Sequence, residues 1–233
     1  MRPLDVRFSL LLVVALLTSC RAVEPLTSSD AVSTALPQLT PCQPVACWQG
    51  VSLNAVQPSN MQDYARQISG FKNAQLSNTW TSGDLSAYAW MDGAGHSIRV
   101  AFRHDKGIAL YQTVGSVDLG QIIARFGPPS HVFVWSNVVQ GRYTADIIVV
   151  FTSQGLLIFS GEEKIHQDAV TLSSRSKFIG YSLATSNELK EIIQSLNLAS
   201  NSPPAQQDSE LNKYVTKAQG WHGYGDYRVD IRP

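Results

Sequence analysis

Charge is scarce in this chain. Asp, Glu, Lys and Arg make up 15% of its 233 residues, against about 25% in ordinary globular domains. The basic and acidic residues balance at 18 each. Such a chain has no global field with which to attract nucleic acid, so a nucleic-acid partner is not expected. Cysteine is scarcer still, at three, too few for a four-cysteine zinc site. The apolar run from Phe8 to Leu17 has ten residues, half of the roughly 20 needed to cross a hydrocarbon core of about 30 Å. The nucleophile elbow, the phosphate-binding loop, the dinucleotide fingerprint and the HExxH zinc motif are all missing. The chain is therefore expected to be neither an enzyme nor a holder of a cofactor or metal.

What is present starts at the amino terminus. Arg2 and Arg7 lead into the apolar run, which ends in Leu17-Thr18-Ser19-Cys20. A basic start, a short apolar stretch and small residues after it make a signal peptide rather than a span. The tetrapeptide resembles a bacterial lipobox. The resemblance implies lipidation of Cys20, cleavage before it and acylation of the new amino terminus. Residues 1–19 are then the signal, and the protein is held by lipid on the extracytoplasmic face of the bacterial cell envelope. One acyl chain binds a membrane marginally, but the two or three a lipobox implies hold it stably. Arg21, not aspartate, follows the cysteine, which by the sorting rule of such lipoproteins favours the outer membrane in a cell that has one. Removal of residues 1–19 leaves 16 basic and 17 acidic residues.

Residues 20–41 read as anchor and flexible tether. From Arg21 to Pro41 the chain is Ala, Ser, Thr, Leu and Pro with scattered charge and no sustained apolar period, a linker composition that reaches about 70 Å extended or about 25 Å as a coil. Cys42 and Cys47 follow, and an even pair in an oxidising compartment points to a disulfide worth about 2 kcal/mol at most. A metal reading would need two further ligands.

Residues 42–233 are expected to form an α+β domain: antiparallel sheet with helices packed on one face. Met61, Tyr64, Ala65, Ile68 and Phe71 recur at helical spacing, with Ser59 or Asn60 as cap. Strands follow at Leu85 to Met91, Ser97 to Arg103 and Ile108 to Thr113, the last after a turn at Asp105-Lys106-Gly107. A second helix, Val117 to Phe126, is stopped by Gly127-Pro128-Pro129. It precedes strands at His131 to Ser136, Tyr143 to Thr152 and Leu156 to Ser160, of which Ile147 to Phe151 is apolar throughout and reads as a central strand. Two helix-plus-three-strand repeats, 48–114 and 115–184, are thus expected. Lys177 to Ala184 reads as a further strand. Thr185 to Glu188 resembles a capping box ahead of a helix carrying Leu189, Ile192, Ile193 and Leu196 on one face. A short helix from Ser209 to Ala218 and a terminal strand with Tyr227, Val229 and Ile231 complete the reading.

The lipobox, the Ser/Thr/Pro tether, the Cys47-Trp48-Gln49-Gly50 start and the helix ending in Phe126-Gly127-Pro128-Pro129 resemble a group of uncharacterised bacterial lipoproteins. The helix, Gly-x-Pro and strands, over Trp48 to Ser160, also resemble the small-protein-A/outer-membrane-assembly lipoproteins and the beta-lactamase-inhibitor-like fold. That resemblance implies a module that binds other proteins and performs no chemistry.

The strongest candidate site is Trp221, His222, Tyr224 and Tyr227 with Asp226 beside them. Aromatic rings on a glycine-rich loop offer large contact area with polar tips, which suits a protein interface or stacking on sugar rings. The same residues could instead plug the edge of the core. Trp80, Trp90 and Trp135 read as core or sheet-face packing. His96 and His104 lie at opposite ends of a strand, roughly 26 Å apart at about 3.3 Å per residue, too far to share a metal. Glu162 and Glu163 point to opposite faces of an extended chain, which disfavours an acid/base pair. The leading expectation is a membrane-anchored module binding another envelope protein. The alternative is a cell-wall or glycan-binding lipoprotein using the aromatic cluster. A third reading, a hydrolase of unfamiliar type, would use His96, His104 or His222.

Overall fold

A computed structural model describes residues 39–40, 47–48, 50–67, 71, 75–91, 96–139, 142–161, 163–198 and 215–229. The expected lipidation site Cys20 and the expected disulfide partner Cys42 lie outside them. The first described pieces are β1 (Leu39–Thr40) and β2 (Cys47–Trp48), paired antiparallel with Leu39 opposite Trp48. A 3₁₀ turn at Leu53–Ala55 follows, then helix α1 (Pro58–Gln67). Proline's fixed φ and missing N–H suit the first helical position. The Gln57 N–H donates to Asn60 Oδ1 at 2.9 Å, so Asn60 closes the helix start from within the first turn. The cap expected at Ser59 or Asn60 therefore sits two to three residues earlier, at Gln57. Phe71 lies in a turn beyond the helix, yet it is buried in the same cluster as Met61 and Ala65.

The strands are β3 (Gln75–Ser82), β4 (Leu85–Met91), β5 (Ser97–Arg103) and β6 (Lys106–Asp118). Helix α2 (Leu119–Phe126) leads to β7 (His131–Val139), β8 (Arg142–Phe151), β9 (Leu156–Phe159) and β10 (Glu163–Lys164). Then come β11 (Ala169–Leu172), β12 (Lys177–Ala184), α3 (Leu189–Leu198), β13 (Gln219–Gly220) and β14 (Gly225–Arg228). Ten of these strands form one antiparallel sheet in the order β13-β7-β8-β9-β12-β6-β5-β4-β3, with β10 also on β8; β11 and β14 make a separate pair. The order resolves into two four-strand sets, β3-β4-β5-β6 and β7-β8-β9-β12, joined where β6 meets β12. A helix precedes each set, α1 the first and α2 the second. Each helix thus goes with four strands of the sheet. Strand β3, which pairs with β4 along its length, supplies the fourth of the first set.

Two local expectations are corrected by physical detail. The β5–β6 turn is His104–Asp105, both at positive φ (49° and 59°), the mirror-image turn that matches strand twist. Gly107 is not in that turn. Its N–H donates to the Val56 carbonyl at 3.0 Å, and a Cβ there would meet the Leu53 carbonyl oxygen at 2.5 Å, so the glycine lets the 3₁₀ turn lie against β6. Helix α2 begins at Leu119 because Val117 and Asp118 still pair with Phe178 and Lys177 of β12. Its first N–H groups are capped by a loop, Leu119 donating to the Ser176 carbonyl and Gly120 to that of Ser174. At the other end, Gly127 at φ 80° closes the helix onto the Ile123 carbonyl, as the Gly-Pro-Pro signal requires.

Alternation along the strands builds two apolar layers. Ile98, Val100, Phe102, Ile147, Val149, Leu156 and Ile158 bury one face together with α1 and α2 residues Met61, Leu119, Ile122 and Phe126. On the other face Phe133, Ile148, Val150, Leu157 and Ala184 meet Ile192 and Ile193 of α3, with Leu189 and Leu196 partly buried beside them. The continuous run Ile147 to Phe151 is buried on both faces, as expected of a central strand. The α+β architecture with an antiparallel sheet holds, with its helices divided between the two faces because β7 to β9 and β12 are apolar on both. One polar knot sits in the first layer. Trp48 Nε1 and the Tyr181 hydroxyl both donate to Gln112 Oε1, and all three residues are buried. Burial holds the Tyr181 phenol protonated far above its ordinary range.

Candidate functional site: a carboxy-terminal aromatic loop

The loop between β13 and β14 is pinned on both sides. Gln219 and Gly220 pair with Val132 and His131 at the β7 edge, and the Trp221 N–H donates to the Ser130 carbonyl at 2.9 Å. Beyond the loop, Tyr227 pairs with Val170 and Gly225 with Leu172 of β11. The Gln219 amide closes the base of the loop. Its Nε2 donates to the Arg228 carbonyl at 2.9 Å and its Oε1 accepts from the Arg228 N–H at 3.1 Å, standing in for a neighbouring strand. Gly223 and Gly225 have φ of 101° and 138°, which side chains rarely adopt.

This geometry gathers all four aromatic candidates. Tyr227 is fully buried. Its ring stacks on His222 at 4.2 Å between centroids and on Trp221 at 5.9 Å. Its hydroxyl donates to the Gly223 carbonyl at 2.8 Å and accepts from the His222 N–H at 3.2 Å. Burial raises the Tyr227 pKa, more than the backbone bond to His222 lowers it, so at neutral pH the hydroxyl keeps the proton it donates. Trp221 is half-buried and meets Tyr224 edge to face at 5.8 Å, while Tyr224 is 48% exposed. Asp226 faces outward and accepts from the Thr171 hydroxyl. Both readings of the cluster thus apply to different members: Tyr227 plugs the core, and Tyr224 and His222 stand in solvent. Tyr227→Phe is expected to lower stability by about 1–2 kcal/mol, because it strands a donor and an acceptor in a half-buried loop. Urea melts of the two proteins check this, and equal midpoints would refute it.

The remaining candidates are dispersed. His96 and His104 stand at opposite ends of β5, and the exposed His104 has Nδ1 3.7 Å from Asp84 Oδ2, as has Arg103 Nε. Glu163 lies on β10, half-buried, with its pKa raised by desolvation; Glu162 lies outside the described residues. Trp90 is buried and donates to Gln62, and Trp135 donates to Asp146 at 3.1 Å beside the α3 layer. Trp80 packs on Ala87, Ala101 and Ala109. These are core and sheet-face roles. Cys47 is buried on β2. Among the described residues no three His, Cys, Asp or Glu side chains come together as a metal site would require. No helix among them is long and apolar enough to cross a membrane. A small cavity of about 120 Å³ between the β5–β6 hairpin and α3, lined by Arg103, Glu191, Gln194 and Ser195, had no sequence signal, since its walls come from three separate segments.

Compared with known proteins, the chain matches no family model, no curated protein and no solved structure.

Proposed function

We propose that this chain is an extracytoplasmic bacterial lipoprotein, anchored through Cys20, whose folded body is a non-catalytic module that binds another envelope protein. The observation that carries the reading is the aromatic loop. Its base is locked by two strand pairings, two Gln219 bonds and two Tyr227 hydroxyl bonds, while Tyr224 presents nearly half its surface to solvent. A rigid loop displaying an amphipathic ring loses little entropy on association, which is the economy of an aromatic anchor at a protein interface. The Leu17-Thr18-Ser19-Cys20 signal and the tether of 21 residues ahead of Cys42 support placing that surface near, but off, a membrane.

The test is capture of the tagged full-length protein from crosslinked native membranes, with mass-spectrometric identification of what comes with it. The expected result is one reproducible protein partner, lost with Tyr224→Ala although that exposed substitution moves the folding midpoint by less than about 0.5 kcal/mol. A Cys20→Ala control should leave the membrane fraction. Recovery of the protein alone, with saturable pelleting on cell-wall polysaccharide that Tyr224→Ala abolishes, would replace the reading with glycan binding.

A further inference from the structure

The cavity of about 120 Å³ lies where the β5–β6 hairpin meets α3. Three residues of α3 line it, Glu191, Gln194 and Ser195, whose i, i+3, i+4 spacing sets them on one side of the helix. Arg103, the last residue of β5, lines it from the sheet, and Ile108 and Ala184 supply apolar surface. Its walls are tied together by hydrogen bonds within the fold. The Ser195 hydroxyl lies 2.9 Å from that of Ser182 and donates to the Ile192 carbonyl at 2.6 Å, and the Ser182 hydroxyl donates to the Leu110 carbonyl at 2.8 Å. These bonds hold α3 against β12 and β6 at the deepest part of the lining, where Ser195 is 1% and Ala184 3% exposed. Close by, the Thr185 N–H donates to the Ile108 carbonyl at 3.3 Å.

The charged and amide side chains of the lining have bonding capacity to spare. Arg103 meets Asp84 through Nε at 3.7 Å, beyond hydrogen-bond length, and its two Nη groups have no partner among the described residues. The Glu191 carboxylate and the Gln194 amide likewise have none among them. One cation from the sheet and one anion from the helix therefore line the same cavity without pairing with each other.

The geometry points to a binding site for a small zwitterion, a free α-amino acid of the size of glycine or alanine, with its carboxylate on Arg103 and its ammonium on Glu191. Charge selects the class. A guanidinium takes a carboxylate by two parallel bonds, and a carboxylate takes an ammonium as a compact point charge. A ligand with a single charge engages one wall and leaves the other unused. Volume selects the size. A cavity of about 150 Å³ holds benzene, so about 120 Å³ suits a molecule of about five or six heavy atoms. Ala184 and Ile108 then offer apolar contact to a side chain no larger than a methyl group. The site is separate from the aromatic loop, which is attached at the β7 edge with β8 and β9 between it and β12.

Equilibrium dialysis of the purified full-length protein in detergent against labelled glycine, L-alanine and D-alanine tests the assignment. Saturable uptake of one molecule per chain is expected for at least one of the three, with a Kd in the micromolar to low millimolar range. Acetate and methylammonium should each compete at least about tenfold more weakly than the zwitterion. Arg103→Gln and Glu191→Gln should each weaken uptake by about tenfold or more, as loss of one charged partner does. Both side chains are exposed, so neither substitution should move the urea midpoint. Uptake is read on the purified chain with no partner present, so its failure and a failure of envelope-protein capture are distinguishable. No saturable uptake below about 10 mM, displacement by acetate or by methylammonium as strong as by the zwitterion, or uptake indifferent to either substitution would each overturn the inference, the second in favour of a simple anion or cation site.

Discussion

Gly180→Val is expected to lower the thermal midpoint by roughly 6–12 °C, the equivalent of about 3 kcal/mol in a domain of this size. Gly180 lies on β12 between Phe159 of β9 and Thr113 of β6, in the middle of the sheet. The Phe159 ring occupies the space where a Cβ would stand, and it stacks on Tyr111 across the strand at 4.9 Å and 8°, with the Arg99 guanidinium 5.4 Å from the Tyr111 ring. A Cβ at this position would overlap the tip of Phe159 and lie 2.8 Å from the Gln112 carbonyl oxygen. The ring could swing away, but the carbonyl belongs to a paired central strand and cannot. Phe159→Ala in the Gly180→Val background should therefore recover only part of the loss. Calorimetry on the three variants checks this, and a Gly180→Val protein melting within about 1 °C of the unaltered one would show that the seam between the two halves is softer than these contacts require.

Trp48→Ala should cost about 4 kcal/mol. The side chain is completely buried, meets Tyr64 edge to face at 5.9 Å, and donates its only N–H to Gln112, which the Tyr181 hydroxyl also reaches. Removing it leaves a large void and takes one donor from a buried amide. Trp48→Phe, which keeps most of the volume and loses only the N–H, should cost about 1–2 kcal/mol. Urea unfolding gives both numbers from the shift in midpoint at constant slope. Equal losses would mean that volume counts for nothing at this position and that the hydrogen bond alone holds the Cys47-Trp48 segment against the sheet.

The legible parts of the fold are those whose signal is local. The period-2 alternation of Ile98, Val100 and Phe102 marks β5, the unbroken Ile147 to Phe151 run marks a strand covered on both sides, and the spacing of Leu189, Ile192, Ile193 and Leu196 marks α3. Strand β3 escapes because it is an edge strand of mostly polar residues, with no alternation to read and its register broken between Asn78 and Trp80. The pairing of β11 with β14 escapes because its partners, such as Thr171 and Asp226, are 55 residues apart. The aromatic loop was legible as a cluster, since Trp221, His222, Tyr224 and Tyr227 are near neighbours in the chain. Its division into a buried Tyr227 and an exposed Tyr224 was not, because that depends on Ser130 and Val170, which only the folded sheet brings to it.

The join between β6 and β12 also sets a timetable. Every other neighbour pair within the two four-strand sets except β9–β12 follows its partner directly in the chain, so β3 to β6 can zip as a local meander as soon as they are made. Contacts across the join, such as Tyr181 to Gln112, span 69 residues. Closing so long a loop is slow, and contacts of this separation dominate the folding rate. During that interval the first half presents a long strand, Lys106–Asp118, with one side bare. The vulnerable species is therefore a half-built sheet awaiting β12, and overproduction or heat should drive loss through that intermediate rather than through the finished molecule.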